Sequence, residues 1–501
     1  MVPSLRQVWL LAILFVAPWV VYADTCSDLE TTTSIEVSRP VSVSYAAEQQ
    51  EYWSTSCAAL LPTCIIFPKS AAEVSTILTI LSSNNERFAI KSGGHNPNNN
   101  WSSVRGGPLI STQRLDQVVL DPSTGRVRIG PGQRLDSTAA ALQGTGWTFV
   151  GGRIGNTGVG GLVLGGGLSY MSAQYGWAAS SVIEYELVLA NGTILTVTAS
   201  SYPDLFKSLK GGGNNFGVVA SYLVQAYRQG DIYGGNLVFL RTPQTDARIL
   251  KAVRDFTEYN ADDKAAVIVT AERTNVNLVD SWILFLFYDG AVVPPGTFSN
   301  FTSIGPIANT ARVRTYADYM AFSNWVIVPA SIVTIATETI PLPSSANLAS
   351  VMFDMHAHWR NISSTTLLDV PGVVASIAWQ PFPKRIAQAA RDKSPDLIDA
   401  DPDVDKMILE INYSFLLEAD YERMTSTMQA TYGGIRERVL AHQAAGRLPR
   451  DVYLPLFMNY GFFKEDYFAR LKPESRALAR RVAGEVDPQG LFRDRTGGWK
   501  P

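Results

Sequence analysis

The apolar positions of the chain change period several times. The run Cys64-Ile65-Ile66-Phe67 predicts a short buried strand, and Val74, Ile77, Leu78 and Leu81 then recur at helical spacing across Ala71 to Leu81. Phe88 to Ile90 predicts the next strand. Leu109-Ile110, Val118 to Leu120 and Val127 to Ile129 follow as strands divided by turn residues, and Leu135 to Leu142 predicts a helix that stops before Gly144. Val182 to Val197 folds back at Asn191-Gly192, the strongest short-range hairpin signal in the chain, and Val218 to Tyr227 predicts one more strand. Beyond about Gly230 the apolar runs lengthen. Asn236 to Leu240, Ala266 to Thr270, Trp282 to Tyr288 and Ile408 to Tyr413 read as long strands with helical patterns between them, a sheet backed by helices. Tyr453 to Asn459 reads as a last strand that leads the chain back to its first half, and the polar, turn-rich Asp24 to Ser56 reads as an entry arm.

Three glycine clusters interrupt this pattern. Lys91-Ser92-Gly93-Gly94-His95-Asn96 follows a strand, so its backbone can turn tightly and bring N–H groups close to an anion, with an imidazole beside it. Gly151 to Gly167 carries too many glycines for a helix or strand interior, where each costs about 0.5–1 kcal/mol relative to Ala. Gly211 to Val219 is the third cluster. Close approach of bare backbone to a large planar or phosphorylated ligand is the physical reason that covers all three. Neither G-x-G-x-x-G nor G-x-x-x-x-G-K-[ST] occurs in them, which disfavours a Rossmann or P-loop site.

Composition narrows the class. At 501 residues, 46% hydrophobic and 17% charged, the chain has the balance of a folded soluble protein, and a net charge of −3 leaves no basic footprint for nucleic acid. Met1 to Arg6 is a short basic start, Val8 to Val21 is apolar but interrupted by Pro18, and Val21-Tyr22-Ala23 offers small residues at −3 and −1 of a cleavage point. A span needs about 20 apolar residues, so residues 1–23 read as a cleaved signal peptide and the mature chain as secreted or vesicular, without stable membrane association. That route permits disulfides among Cys26, Cys57 and Cys64, and one of the three must stay unpaired or bridge outward. Sequons at Asn100, Asn191, Asn300, Asn361 and Asn412 agree with glycosylation there. His356 and His358, read as a strand pair, lack a third ligand, so no metal site is expected.

The Ser92–His95 loop, the run from Gly158 to Gly176, Tyr185 to Gly192 and Gly211 to Val219, in that order, resemble the FAD-binding domain of the vanillyl-alcohol-oxidase (PCMH-type) superfamily. Asn459-Tyr460, Val486 to Phe492 and Gly497 to Lys500 resemble the tail of its berberine-bridge-enzyme-like members. The resemblance runs from about Tyr52 to the C-terminus. It implies an α+β fold: a two-subdomain FAD-binding part over 57–229 after an arm at 24–56, a substrate-binding part with an antiparallel sheet backed by helices over 230–450, and a segment at 451–501 that returns to the flavin. It also implies pairing of Cys26 with Cys64, with Cys57–Cys64 as the rival.

By the same resemblance FAD is bound covalently through His95. Ser92, Gly93, Gly94 and Asn96 would hold it from the first loop, Gly155, Thr157, Gly158, Gly160, Gly161 and Gly165 from the second, and Gly217, Val218 and Asn459 from elsewhere. Many relatives add a second tether, a cysteine three residues before the position of Thr157. Ile154 stands there, and an alkyl side chain forms no thioether, so a single tether is expected.

The implied reaction moves a hydride from a substrate C–H to the flavin while a base takes a proton, with reoxidation by O2. Tyr175, Tyr460 and Glu410 are the candidate catalytic residues, and Gln380 is a candidate substrate contact. A phenol needs a cationic or hydrogen-bonding neighbour to serve as a base, and the sequence identifies none. An oxidase of a small organic molecule, in secondary-metabolite biosynthesis, is the first reading. A carbohydrate or alcohol oxidase and a flavin-containing cyclase without net redox turnover are its rivals.

Overall fold

The computed structural model describes residues 24–274 and 278–501; the expected signal peptide lies outside them. The first half of the chain builds two larger sheets, besides a two-stranded pairing of Trp147–Thr148 with Tyr227–Arg228. Glu36–Ser38, Cys64–Phe67, Pro108–Ser111 and Ala89–Lys91 lie side by side in that order, the last three parallel. The second sheet is antiparallel, in the order Val118–Asp121, Arg126–Ile129, Val218–Gln225, Val182–Val188, Ile194–Thr198. The hairpin turns at Asn191-Gly192 as expected, with Gly192 at φ 81°, which a side chain would make costly. The helices also follow the apolar period, at Ala71–Ser83 and Leu135–Leu142.

An antiparallel sheet dominates the second half, in the order Ala308–Asn309, Ile232–Leu240, Asp280–Tyr288, Ala265–Thr274, Val374–Phe382, Lys406–Phe415, Ile332–Pro341, with Arg312–Arg314 also on the second of these. Alternation divides its two faces. Trp282, Ile377, Trp379 and Ile411 point to one side and bury themselves under the helices Pro243–Tyr259, Leu348–Thr365 and Tyr421–Ala444. Ser376, Ala378, Glu410 and Asn412 point to the other, which faces a cavity. This is the α+β arrangement expected, with the helices on one side leaving the opposite face free to line a site.

Three expectations about local structure are corrected. The arm before Ser56 contains the helices Thr25–Thr32 and Val43–Gln50, because the polar residues that read as turns are caps: Asp24 Oδ1 accepts from Ser27 N at 2.8 Å and Ser42 Oγ from Tyr45 N at 3.3 Å. Tyr453 to Asn459 forms no strand. Pro455 removes a ladder donor from its middle, and it ends in a 3₁₀ turn at Met458–Tyr460. His356 and His358 sit on the helix Leu348–Thr365 and diverge, His356 stacking on Trp282 and His358 meeting the carbonyls of Ala430 and Thr431.

Two of the arm's fastenings bear on the site. Cys26 is bonded to Cys64, the pairing the family resemblance implied, and Cys57 is the buried free thiol. Glu48, wholly buried, accepts from Lys91 Nζ at 2.6 Å and from Ser111 Oγ at 2.7 Å. Burial pushes the Lys91 amine down while Glu48 supports its charge, so neither partner could be removed cheaply. Lys91 directly precedes Ser92, so this pair anchors the loop that carries His95.

Candidate active site

A cavity of about 380 Å³ lies between the glycine loops and the free face of the large sheet. Ser92, Gly93, Gly94, His95 and Asn96 line it from the first loop, and Thr157, Gly158, Gly160 and Gly161 from the second. Gly217 and Val218 join them, as do Asn459 and Tyr460 from the returning segment, with Glu410 on the opposite wall. The two loops touch backbone to backbone. A Cβ on Gly93 would stand 2.4 Å from Gly158 N, and one on Gly158 2.2 Å from Gly93 N. Neither neighbour can yield, because each is main chain. Gly158→Ala is therefore expected to separate the loops, and the purified variant should carry less than a tenth of the wild-type flavin by absorbance.

Three of the expected residues stand elsewhere. Gly155 does not line the cavity: its N–H donates to Ser323 Oγ at 2.9 Å, and a Cβ would lie 2.3 Å from Met320 O. Gly165 admits the Asn459 amide, whose Oδ1 accepts from Gly167 N at 3.0 Å, so its glycine serves the returning segment. Tyr175 stacks on Tyr227 at 3.7 Å, where the next residue, Gly176, packs against Ala390 of the helix Lys384–Lys393. Burial and Asp289 push its phenol up to about 12, and it does not reach the cavity.

His95 lies in a constrained setting. Its ring stacks on Trp53 at 4.5 Å, and its Nε2 is 3.2 Å from Asn156 Oδ1, an acceptor, which places the proton on Nε2 and leaves the Nδ1 lone pair unprotonated. Burial, assisted by the Arg134 guanidinium, pulls its pKa down to about 4. Arg134 is itself held by Glu51 at 2.6 Å and by the Asn156 carbonyl. A neutral imidazole is thus maintained throughout the physiological range.

A buried polar cluster joins the second glycine stretch, through Arg153, to the large sheet and the returning segment. Gln380 Nε2 donates to Glu410 Oε2 at 2.9 Å and lies 3.3 Å from Tyr460 Oη. Arg153 Nη2 donates to both Gln380 Oε1 and Tyr460 Oη. Arg153 is the cationic neighbour the sequence did not identify. Burial nevertheless dominates: it raises the Tyr460 phenol well above its ordinary value despite Arg153, so Tyr460 is a proton donor at neutral pH rather than a base. Burial likewise raises the Glu410 carboxyl, with Arg153 and Gln380 pulling against it. A carboxylate moved up toward neutrality is the group of this cluster suited to accept a proton. Gln380 is fully buried and supports Glu410 and Tyr460, and it does not line the cavity.

Sequence reasoning overlooked Arg153, Trp53 and Asn156. Arg153 carried a signal, as the one charged side chain within Gly151 to Gly167; the other two are set by tertiary contacts.

The glycine wall fits a large planar cofactor. Gly161 lines the cavity, yet a Cβ there would meet no protein atom within 4 Å, and Asn215 Oδ1, on another lining residue, is buried without a hydrogen-bond partner. Bare backbone on one side and a buried acid–amide–phenol cluster on the other define an oxidoreductase built around a flavin. A family model described as an FAD binding domain matches residues 62–198. An uncharacterized FAD-linked oxidoreductase of Arthroderma benhamiae is 39% identical over 469 residues, covering 93% of this chain and 92% of that one. The FAD-dependent monooxygenase tpcD of Cochliobolus heterostrophus is 27% identical, covering 94% and 92%. Among solved structures, berberine bridge enzyme from Eschscholzia californica shares the fold with a TM-score of 0.74 at 15% identity, over 94% of this chain and 98% of that one. The chain belongs to the FAD-linked oxidoreductases, and it shares the fold of berberine bridge enzyme.

Proposed function

We propose that the protein is a secreted or vesicular oxidase of a small, largely apolar organic molecule, a step in secondary metabolism, with FAD bound covalently through His95. Residues 57–229 and 451–501 would hold the cofactor and 230–450 the substrate. FAD supplies the hydride acceptor when bound. The observation that carries this reading is the Glu410–Gln380–Tyr460–Arg153 cluster, which puts a buried carboxyl and a phenol on the cavity that the glycine loops line. Glu410 takes the proton from a substrate O–H or N–H, Tyr460 hydrogen-bonds the oxygen or nitrogen that loses it, and Arg153 holds the phenol in place. Ile268, Ile283, Phe285, Val333 and Ile335 line one stretch of the wall with apolar side chains, which suits a substrate with a large apolar face.

The tpcD relative is named a monooxygenase, which favours a second reading in which an oxygen atom enters the product. Measuring hydrogen peroxide against substrate consumed separates the two. One peroxide per substrate, with no ¹⁸O from labelled O2 in the product, supports the oxidase; label in the product overturns it. Thr157 lines the cavity with a compact side chain that leaves room for O2. Thr157→Leu should slow reoxidation of the reduced enzyme about tenfold or more in stopped-flow mixing with air-saturated buffer, and an unchanged rate would remove Thr157 from the oxygen path.

A further inference from the structure

The sheet wall of the cavity is graded in polarity. Glu272 stands opposite Ser376 on the neighbouring strand, and Ser376 opposite Asn412 on the next, so the three form one row across the sheet. Thr270, Ala378 and Glu410 form the adjacent row, two residues along each strand, and both rows face the cavity. With about 4.8 Å between strands and about 3.3 Å per residue, the Cα atoms of Glu272 and Glu410 are about 12 Å apart. The two carboxylates differ in their company. Gln380 and Arg153 answer Glu410. Among the described residues no donor reaches the Glu272 carboxylate, and burial alone acts on it, raising its pKa. An ionised carboxylate in such a wall is costly unless a counter-charge arrives, and a cationic ligand in the cavity would bring one.

We propose that Glu272, with Ser376 and Asn412 beside it, is a subsite for a protonated amine of the substrate. The oxidised molecule is then an apolar, aromatic compound with a basic nitrogen about 10 Å from the bond that reacts at Glu410. Which end reacts rests on the oxidase reading above; the amine subsite itself does not. Ser376 and Asn412 supply hydroxyl and amide oxygens that can accept the remaining ammonium protons.

The test is calorimetric titration of the flavin-loaded protein at pH 7 with 2-(naphthalen-2-yl)ethylamine and with 2-(naphthalen-2-yl)ethanol, which match in size and differ in charge. Wild type should bind the amine about tenfold or more tightly than the alcohol. Glu272→Gln and Glu272→Ala should bring the two within about twofold, while Glu410→Gln keeps the preference. Flavin content and melting temperature establish that each variant is folded. Equal binding of both probes by wild type overturns the proposal, as does a preference that survives both Glu272 variants or vanishes in Glu410→Gln. Titration needs no turnover, so a protein that prefers the amine yet consumes no O2 overturns the oxidase reading and leaves the subsite standing.

Discussion

His95→Ala should release the flavin entirely: acid precipitation of the variant is expected to leave the yellow colour in the supernatant, whereas the wild-type pellet keeps it. His95 presents a free nucleophile at neutral pH, because its Nε2–H donates to Asn156 Oδ1 while burial and Arg134 hold the ring's pKa near 4. The remaining loop offers no substitute. Ile154 lines the same cavity with an alkyl chain, so a single tether is expected, and its loss is all-or-none. Visible absorbance of pellet and supernatant checks this, and a colourless wild-type pellet would refute covalency through His95.

The second large effect is on the chemical step. Glu410→Gln keeps the hydrogen-bonding shape toward Gln380 but removes the proton acceptor, and kcat should fall about 10²- to 10⁴-fold with little change in substrate Kd. The pH profile gives an independent signature. A base acts in its ionised form, and burial raises the Glu410 carboxyl above that of an ordinary glutamate, so activity should decline as pH falls through this raised value and recover above it. The acid limb should disappear in Glu410→Gln. Its persistence would assign the proton to another group.

The parts of the molecule that were legible in the sequence are those in which local chemistry decides. The Ser92–Asn96 loop, the Asn191-Gly192 hairpin and the helix Leu135–Leu142 follow from turn residues and apolar period. Tyr460 was legible as a candidate through the tail motif and Glu410 through its place on a strand of the substrate part, and both line one cavity. Their coupling through Arg153 was not, because Arg153 reaches Gln380 across 227 residues and Tyr460 across 307, separations at which no periodicity survives. The strand expected at Tyr453 to Asn459 failed for a related reason. Extended, apolar backbone reads as a strand whether or not a partner edge exists, and here the carbonyl of Pro455 instead accepts from the Thr339 hydroxyl at 2.6 Å. In the arm, Asp and Ser read as turns when they were capping helices, since the same side-chain oxygens serve both.

Gly497 to Trp499 line the cavity that Ser92 to Asn96 open, with Trp499 edge-on to Trp101 at 4.5 Å and its Nε1 bonded to the Glu465 carbonyl at 2.5 Å. The two walls are therefore some four hundred residues apart in order of synthesis. A nascent chain cannot complete the cofactor chamber until residue 499 has left the ribosome, so the glycine loops are made long before the wall that closes over them. The chamber is therefore a product of long-range closure, and a truncation that removes Gly497 to Trp499 should lose flavin while leaving the earlier sheets folded.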